Sequence, residues 1–519
     1  MPRRACRLGP KVLLFLAVWL VPYSAGTRGA LVPAAAAATP APVTVTAPAA
    51  GAVLQWGKTY RVAWRNPNLG TSVRKTRLSI SLDGGLHWQF LATLDRNPGS
   101  YSWRVHEVPG VMRRCLLNVA LLNWRGETIG RGRTGGFFTI RGVVSRYGIG
   151  AVESWYLPGY TWGKAAAGDL DGDGRSEIAV LSSSGSSCNF AHVLRRSSDG
   201  KLPFVSTIAT FGLLDLKDIA AGDLNGDGRA DLAFSSVSTL GGAMLGRLLA
   251  LYQDPASGAI GATSAQKIYG SDKVGDIVIG DFGGTSGMDV AGLAEPATAG
   301  NPGAVAIFLQ SSTGPLDYER RYDAVSVDLD GEIHAGDVNA DGGADLVVQS
   351  GERELSVIPR ASSALPPGFG AAEPLTVVPA TDPPISSYAV GDLDNDGRAD
   401  LVVASGSTLR VFIRASGGGF RSPMVIPLGL TPRKVAAIDQ DGDLLTDIVV
   451  DYSQGIAVLR QTCSHTFLPP IVRLVPCQSV GPIGRGSLFQ SDVNGDGIPD
   501  IVVSGYNGRL SFIFGTKLP

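Results

Sequence analysis

Seven times between Asp169 and Asp500 the chain writes a version of one nine-residue loop, Asp-x-Asp/Asn-x-Asp-Gly-x-x-Asp/Glu, at steps of 47 to 58 residues. Each copy closes one apolar run and opens another. A period of this length requires supersecondary units that bury their faces only against their neighbours. The fifth unit shows the plan: Tyr388–Gly391, the loop from Asp392 to Asp400, then runs at Leu401–Ala404, Leu409–Ile413 and Pro423–Pro427. Short continuous apolar runs bounded by turn residues suit strands covered on both faces. Four strands in each of seven units predict a seven-bladed β-propeller over 147–519. The last unit ends after its third strand, and the run Ala151–Leu157 ahead of the first is expected to supply the missing outer strand and close the ring.

The loop carries a chemistry of its own. Three or four carboxylates within nine residues repel one another unless a cation sits among them. A hard cation such as calcium takes six to eight oxygens, which side chains at positions 1, 3, 5 and 9 and the carbonyl at position 7 can offer. Glycine at position 6 allows the sharp turn. The candidate ligands are Asp169, Asp171, Asp173, Arg175 and Glu177 in loop 1, and Asp223, Asn225, Asp227, Arg229 and Asp231 in loop 2. Loop 4 offers Asp337, Asn339, Asp341, Gly343 and Asp345, and loop 5 offers Asp392, Asp394, Asp396, Arg398 and Asp400. Loop 6 offers Asp439, Asp441, Asp443, Leu445 and Asp447, with Leu444 in place of the glycine; loop 7 offers Asp492, Asn494, Asp496, Ile498 and Asp500. Loop 3, Asp281 to Asp289, lacks two ligands and is expected to hold no metal. Five or six calcium ions are therefore expected. Flanking strand patterns and the apolar residue after position 9 favour a strand-loop-strand calcium site over an EF-hand.

At these residues the chain resembles the FG-GAP/VCBS repeat family, propellers that include the integrin α-subunit head. The likeness spans roughly 147–519 and rests on the in-frame Gly-Asp-Leu/Val-Asn/Asp-Gly-Asp-Gly-x-x-Asp-Leu/Ile motif. No Phe-Gly followed by Gly-Ala-Pro recurs in each blade, so the bacterial VCBS-like branch is the nearer one. The resemblance implies calcium ions that stiffen the blades and an opposite face that binds proteins or glycans.

Residues 43–146 alternate apolar and polar residues over Val43–Thr46, Thr59–Trp64, Arg77–Leu82, Trp88–Ala92, Tyr101–Val105, Leu116–Leu122 and Phe137–Ile140, the pattern of a small β-sandwich. This stretch resembles the immunoglobulin-like modules of secreted and cell-wall proteins. Ser81, Asp83, Gly85 and Trp88 match the Asp-box of sialidases, but one copy marks a hairpin turn, not a glycosidase.

Ahead of it, Arg3, Arg4, Arg7 and Lys11, an apolar run from Val12 to Val21 and Ser24-Ala25-Gly26 read as a signal peptide over 1–26, followed by an Ala/Pro-rich linker over 27–42. The apolar run is too short for a membrane anchor, and no transmembrane segment is expected in the mature chain. The expected place is therefore secreted, periplasmic or cell-surface. In such a compartment Cys463 and Cys477 are the pair open to bridging, while Cys115 and Cys188 read as buried or isolated thiols. Charge is divided: residues 43–146 hold 15 Lys/Arg against 4 Asp/Glu, a net +11, and residues 147–519 hold 25 against 42, a net −17. The acidity of the second region is mostly ligand charge. The basic first region suits an anionic polysaccharide, anionic lipid headgroups or nucleic acid, and equally a solvated basic surface.

These features favour an exported, non-enzymatic calcium-binding scaffold for binding or adhesion, its partner an extracellular protein or glycan, with no nucleic acid expected. The alternative is a polysaccharide-acting lyase or hydrolase built on the propeller. His87, His106, His192, His334 and His465 show no triad or zinc spacing, and only His334 lies beside a repeat loop.

Overall fold

The computed structural model describes residues 41–517 apart from internal segments, of which 254–264 and 476–485 are the longest. The signal segment, Cys463, Cys477 and the Asp-box residues 83–88 lie outside the described residues. The chain is all-β, a small sandwich followed by a seven-bladed propeller, and Thr39–Pro519 form one compact unit.

The sandwich sets a three-stranded sheet, Thr44–Ala47, Thr59–Arg65 and Ser100–Arg104, against a seven-stranded one. Val62, Trp64 and Trp103 from the first sheet pack on Leu78, Leu117, Val119, Leu121, Phe138 and Ile140 from the second. The 12-residue strand Val111–Leu122 pairs with Phe138–Arg141 near its start and with Lys75–Ser81 and Thr128–Arg133 further on, so it spans most of the larger sheet. The linker reading is corrected at its end: Ala41–Pro42 already pair in parallel with Gly130 and Arg131. Cys115 is a buried thiol that donates to the Met112 carbonyl at 3.3 Å.

In the propeller, blades 1 to 6 each run inner to outer in chain order, from Thr161–Gly168 in blade 1 to Ile471–Leu474 in blade 6. Blade 7 takes Leu488–Ser491, Asp500–Gly505 and Arg509–Lys517 from the end of the chain and its outer strand, Tyr147–Tyr156, from before blade 1. The ring closes as the unpaired run predicted. The second strands show why their sequences are apolar throughout. In blade 1, Ile178 and Val180 pack toward blade 7, whereas Ala179 and Leu181 pack toward blade 2. Alternating side chains thus enter two different interfaces, and both must exclude water. A buried cluster fills each of the seven interfaces.

A polar belt crosses these cores. Lys164, Asp218, Asp276, Glu332, Ser387, Lys434 and Ser487 come one from each blade, in or immediately before its inner strand. Five of them accept the N–H of the residue after the belt position in the next blade: Asp218 from Ile277 at 2.9 Å, Asp276 from Ile333 at 3.1 Å, Glu332 from Tyr388 at 3.3 Å, Ser387 from Val435 at 3.4 Å, and Ser487 from Ala165 at 3.0 Å. The two lysines reach across blades, Lys164 to Asp276 at 2.5 Å and Asp218 at 3.5 Å, and Lys434 to Glu332. Burial opposes the Lys164 charge, but Asp218 and Asp276 outweigh it and hold the ammonium above its usual pKa. Burial likewise opposes Glu332, yet Lys434 and His334 keep its carboxyl below the ordinary range. Every buried charge in the belt has a partner, which such a placement demands.

Candidate calcium loops

Each acidic loop joins the inner strand of a blade to its second strand, so all seven open on one face of the ring. The position-9 acid clips the blade together. In loop 5 Asp400 accepts the N–H of Leu393 at 2.7 Å and that of Arg414, just beyond the third strand, at 2.7 Å. The same double contact recurs at Asp231, Asp289, Asp345, Asp447 and Asp500. It includes loop 3, which has lost two of its other acids, so position 9 has a structural duty apart from any metal.

The position-1 acid organises the turn. Asp392 accepts from the N–H of Asp396 at 3.1 Å and Gly397 at 2.9 Å, and Asp337 accepts from Asp341 and Gly342 at the same two distances. Glycine at position 6 takes the left-handed conformation that the sequence suggested, at Gly342 and Gly397. Position 4 does so as well, with φ of 61° at Ala340, 59° at Asn395, 72° at Gly442 and 74° at Gly495. Sequence reading missed this second left-handed residue because its identity varies. Gly442 also explains how loop 6 turns although Leu444 stands at position 6: its N–H reaches Asp439 at 2.8 Å.

The ligand candidates divide. Among the described residues, three groups bring carboxylate oxygens within 4.8 Å of one another: Asp169, Asp171 and Glu177; Asp392, Asp394 and Asp400; Asp439, Asp441 and Asp447. These are the loops with aspartate at position 3, where loops 2, 4 and 7 have asparagine. Loop 6, which has Leu444 in place of the position-6 glycine, is among them. The position-5 aspartates Asp341, Asp396, Asp443 and Asp496 turn instead onto the N–H of Gly343, Arg398, Leu445 and Ile498 at position 7, at 2.8 to 3.0 Å. Asp173 and Asp227 lie outside the described residues, whereas Arg175 and Arg229 hold position 7 in loops 1 and 2.

A cation fits the loop 5 cluster. Its donors are all oxygens, and the buried Asp394 Oδ1 has no hydrogen-bond partner among the described residues. Burial, with a lesser push from Asp396, raises Asp394 against the pull of Arg421. Burial foremost, with a lesser push from the other loop acids, raises Asp345, Asp400 and Asp500 to about 7 and Asp447 to about 8, although two backbone N–H groups pull each down. Carboxylates so placed need a counter-charge to remain ionised at neutral pH.

Arginines meet several of the loops: Arg421 lies 3.8 Å from Asp394 in loop 5 and Arg460 3.4 Å from Asp441 in loop 6. Arg195 pairs with Asp171 and lies 3.8 Å from Glu177 in loop 1. From the sandwich, Arg114 meets Asp337 and Arg133 meets Asp281, each at 2.5 Å.

The FG-GAP-like repeat family matches residues 169–234 and 392–450, which hold loops 1, 2, 5 and 6. A 104-residue stretch is 30% identical to a threonine–tRNA ligase of Thermobifida fusca (strain YX), and the match spans 20% of this chain and 15% of that relative's length. Among solved structures, a Lactobacillus plantarum protein aligns over 79% of this chain and 98% of its own at 10% identity, TM-score 0.41. The Dos1 propeller aligns over 79% and 92% at 8% identity, TM-score 0.38. A mutant Aleuria aurantia lectin in complex with Fucalpha1-6GlcNAc aligns over 62% and 97% at 12% identity, TM-score 0.35. Likenesses at these scores carry no functional argument. The chain carries FG-GAP-like repeats within a seven-bladed β-propeller.

Proposed function

We propose that this is an exported, non-enzymatic scaffold whose propeller is stiffened by five or six calcium ions and whose remaining surface binds an extracellular protein or glycan. The observation that carries the calcium reading is the convergence of three carboxylates in each of loops 1, 5 and 6, with a buried Asp394 oxygen left for a cation. Calcium there would neutralise the acids and fix the strand-to-strand connection; the chain's own residues supply the oxygens and the turn.

The scaffold reading draws support from the state of the buried titratable groups. Lys164, Asp218, Asp276, Glu332 and Lys434 are committed to holding blades together. His192 is buried, bonded to Ser182 at 2.7 Å, stacked near Phe190, and lowered by burial to about 4. One place favours the enzymatic alternative: His334 lies 3.5 Å from Glu332 and edge-on to Tyr388 at 4.6 Å. There, however, the Tyr388 hydroxyl donates to the Glu332 and Val347 carbonyls and is not free to act as an acid or base.

The test has two arms. Thermal unfolding of the mature chain in calcium and in chelator, with elemental analysis, should show a large calcium-dependent rise and five or six ions; neither would remove the calcium reading. Anionic and neutral glycans should be retained without release of shorter products. Product release that is lost in His334→Ala would favour the lyase or hydrolase.

A further inference from the structure

Three arginines of the sandwich reach the loop face of the propeller. Arg131 and Arg133 lie two apart on Thr128–Arg133 and share a face of the larger sheet, turned away from the sandwich core. Arg131 donates to the Gln310 side chain at 3.0 Å and to the Asn225 carbonyl of loop 2 at 3.2 Å. Arg133 meets Asp281, the first acid of loop 3, which Arg360 of blade 4 also approaches at 3.7 Å. Arg114 meets Asp337, the first acid of loop 4, whose side chain is 6% exposed. The Arg114 guanidinium also lies 5.0 Å over the Phe137 ring, which a Cβ on Gly342 would meet at 3.5 Å. A basic domain of net +11 is therefore seated on acidic loops, with its arginines at position 1 of two of them.

Loop 3 has lost the acids a metal would need, so Arg133 there answers a carboxylate that no ion serves. Loop 4 keeps Asp337, Asn339, Asp341 and Asp345, yet an arginine of the sandwich holds its buried first ligand; Arg195, which meets Asp171 in loop 1, comes from the same blade, and both of those side chains are at least 30% exposed. Calcium on the same carboxylate would stand only a few ångströms from that guanidinium, and the two cations would repel each other. We propose that the sandwich is an arginine latch: Arg133 and Arg114 stand in for the cation at loops 3 and 4, and loop 4 takes calcium only when Arg114 withdraws. Calcium and docking then compete for Asp337, and by linkage each weakens the other.

This inference rests on the calcium reading of the other loops, so its test carries a control. Calcium binding to the full mature chain is counted by equilibrium dialysis and calorimetry for the wild type, Arg114→Gln, Arg114→Lys and Asp392→Asn. The wild type should bind five ions tightly and a sixth roughly tenfold or more weakly, within the usual range of coupling between sites. Arg114→Gln should bring the sixth into the tight class, Arg114→Lys should stay like the wild type, and Asp392→Asn should lose one ion. If Asp392→Asn loses an ion while Arg114→Gln gains none, the latch is wrong and the calcium reading stands. If no variant binds calcium, both fall. Should Arg114→Gln fail to fold, small-angle scattering of the wild type decides: the radius of gyration should rise as the sixth ion binds, and a constant radius from chelator to saturation overturns the latch.

Discussion

Loops 4 and 5 share a frame almost bond for bond and differ in what meets their first aspartate. In both, position 1 takes the amides of positions 5 and 6 at 3.1 and 2.9 Å, and position 9 clips the second and third strands. In loop 5 the acids converge and Asp394 keeps a buried oxygen without a hydrogen-bond partner among the described residues. In loop 4 Asn339 removes one acid, and Arg114 arrives from a strand 223 residues earlier in the chain. The turn is thus a local matter, set by the nine residues, whereas the counter-charge is a tertiary one. A repeat can keep its geometry and change its cation.

The broadest way to break this comparison is to remove calcium. Each ion bound to the native state at a hundred times its dissociation constant adds about 2.7 kcal/mol, so chelation should lower the melting temperature by far more than any single substitution. The loss should be uneven. Amides in the loops of blades 1, 5 and 6 should lose hydrogen-exchange protection first, while those at loops 3 and 4, held by arginines of the sandwich, should lose least. Uniform loss would mean that loops 4 and 5 do not differ in their cations.

The belt supplies the contrasting case, since it passes through covered and uncovered blades alike. Glu332→Ala leaves Lys434 buried without its partner and takes an acceptor from Tyr388, a change expected to cost about 3–5 kcal/mol. That cost should be the same in calcium and in chelator, by denaturant unfolding in each. A cost that vanishes in chelator would show that the loops, and not the belt, hold the blades in register.

The sequence made much of this legible, for physical reasons. Second strands enter two interfaces, so runs such as Leu401–Ala404 have no polar positions and stand out. The outer strand of blade 7 was legible because the last unit is one strand short. The belt was not: one polar residue per inner strand looks like an ordinary exposed position until seven of them meet. Nor was the latch, because nothing near Arg114 or Asp337 in sequence points to the other. The double duty of position 9 did leave a signal. Loop 3 discarded two ligands and kept Asp289, which a purely metal-binding role does not explain.

That retained residue gives a finer test. Asp289→Ala strands two buried amides, those of Phe282 and Gln310, and should cost about 1–3 kcal/mol for each group left unsatisfied. Its effect should not depend on calcium. Asp400→Ala removes the same two contacts and a candidate ligand, so its cost should match that of Asp289→Ala in chelator and exceed it in calcium. Equal costs under both conditions would take Asp400 out of the metal site.

The smallest effect concerns position 4, where loop 4 holds Ala340 at φ 61° and loop 5 holds Asn395 at φ 59°. The left-handed region crowds a β-carbon, and asparagine tolerates it better than alanine because its side chain can bond to nearby backbone. Ala340→Asn therefore gives loop 4 the residue that loop 5 uses and should stabilise the chain by about 0.5 kcal/mol, part of the roughly 1–2 kcal/mol assigned to left-handed strain. Gly442→Ala in loop 6 should destabilise by a similar amount, because Gly442 occupies the same region at φ 72°. Calorimetric melting of the two variants against the wild type checks both signs. If the backbone frame is common to all the loops, neither change should alter the number of ions bound; an altered count would mean that position 4 sets the cation as well as the turn, and that loops 4 and 5 differ locally after all.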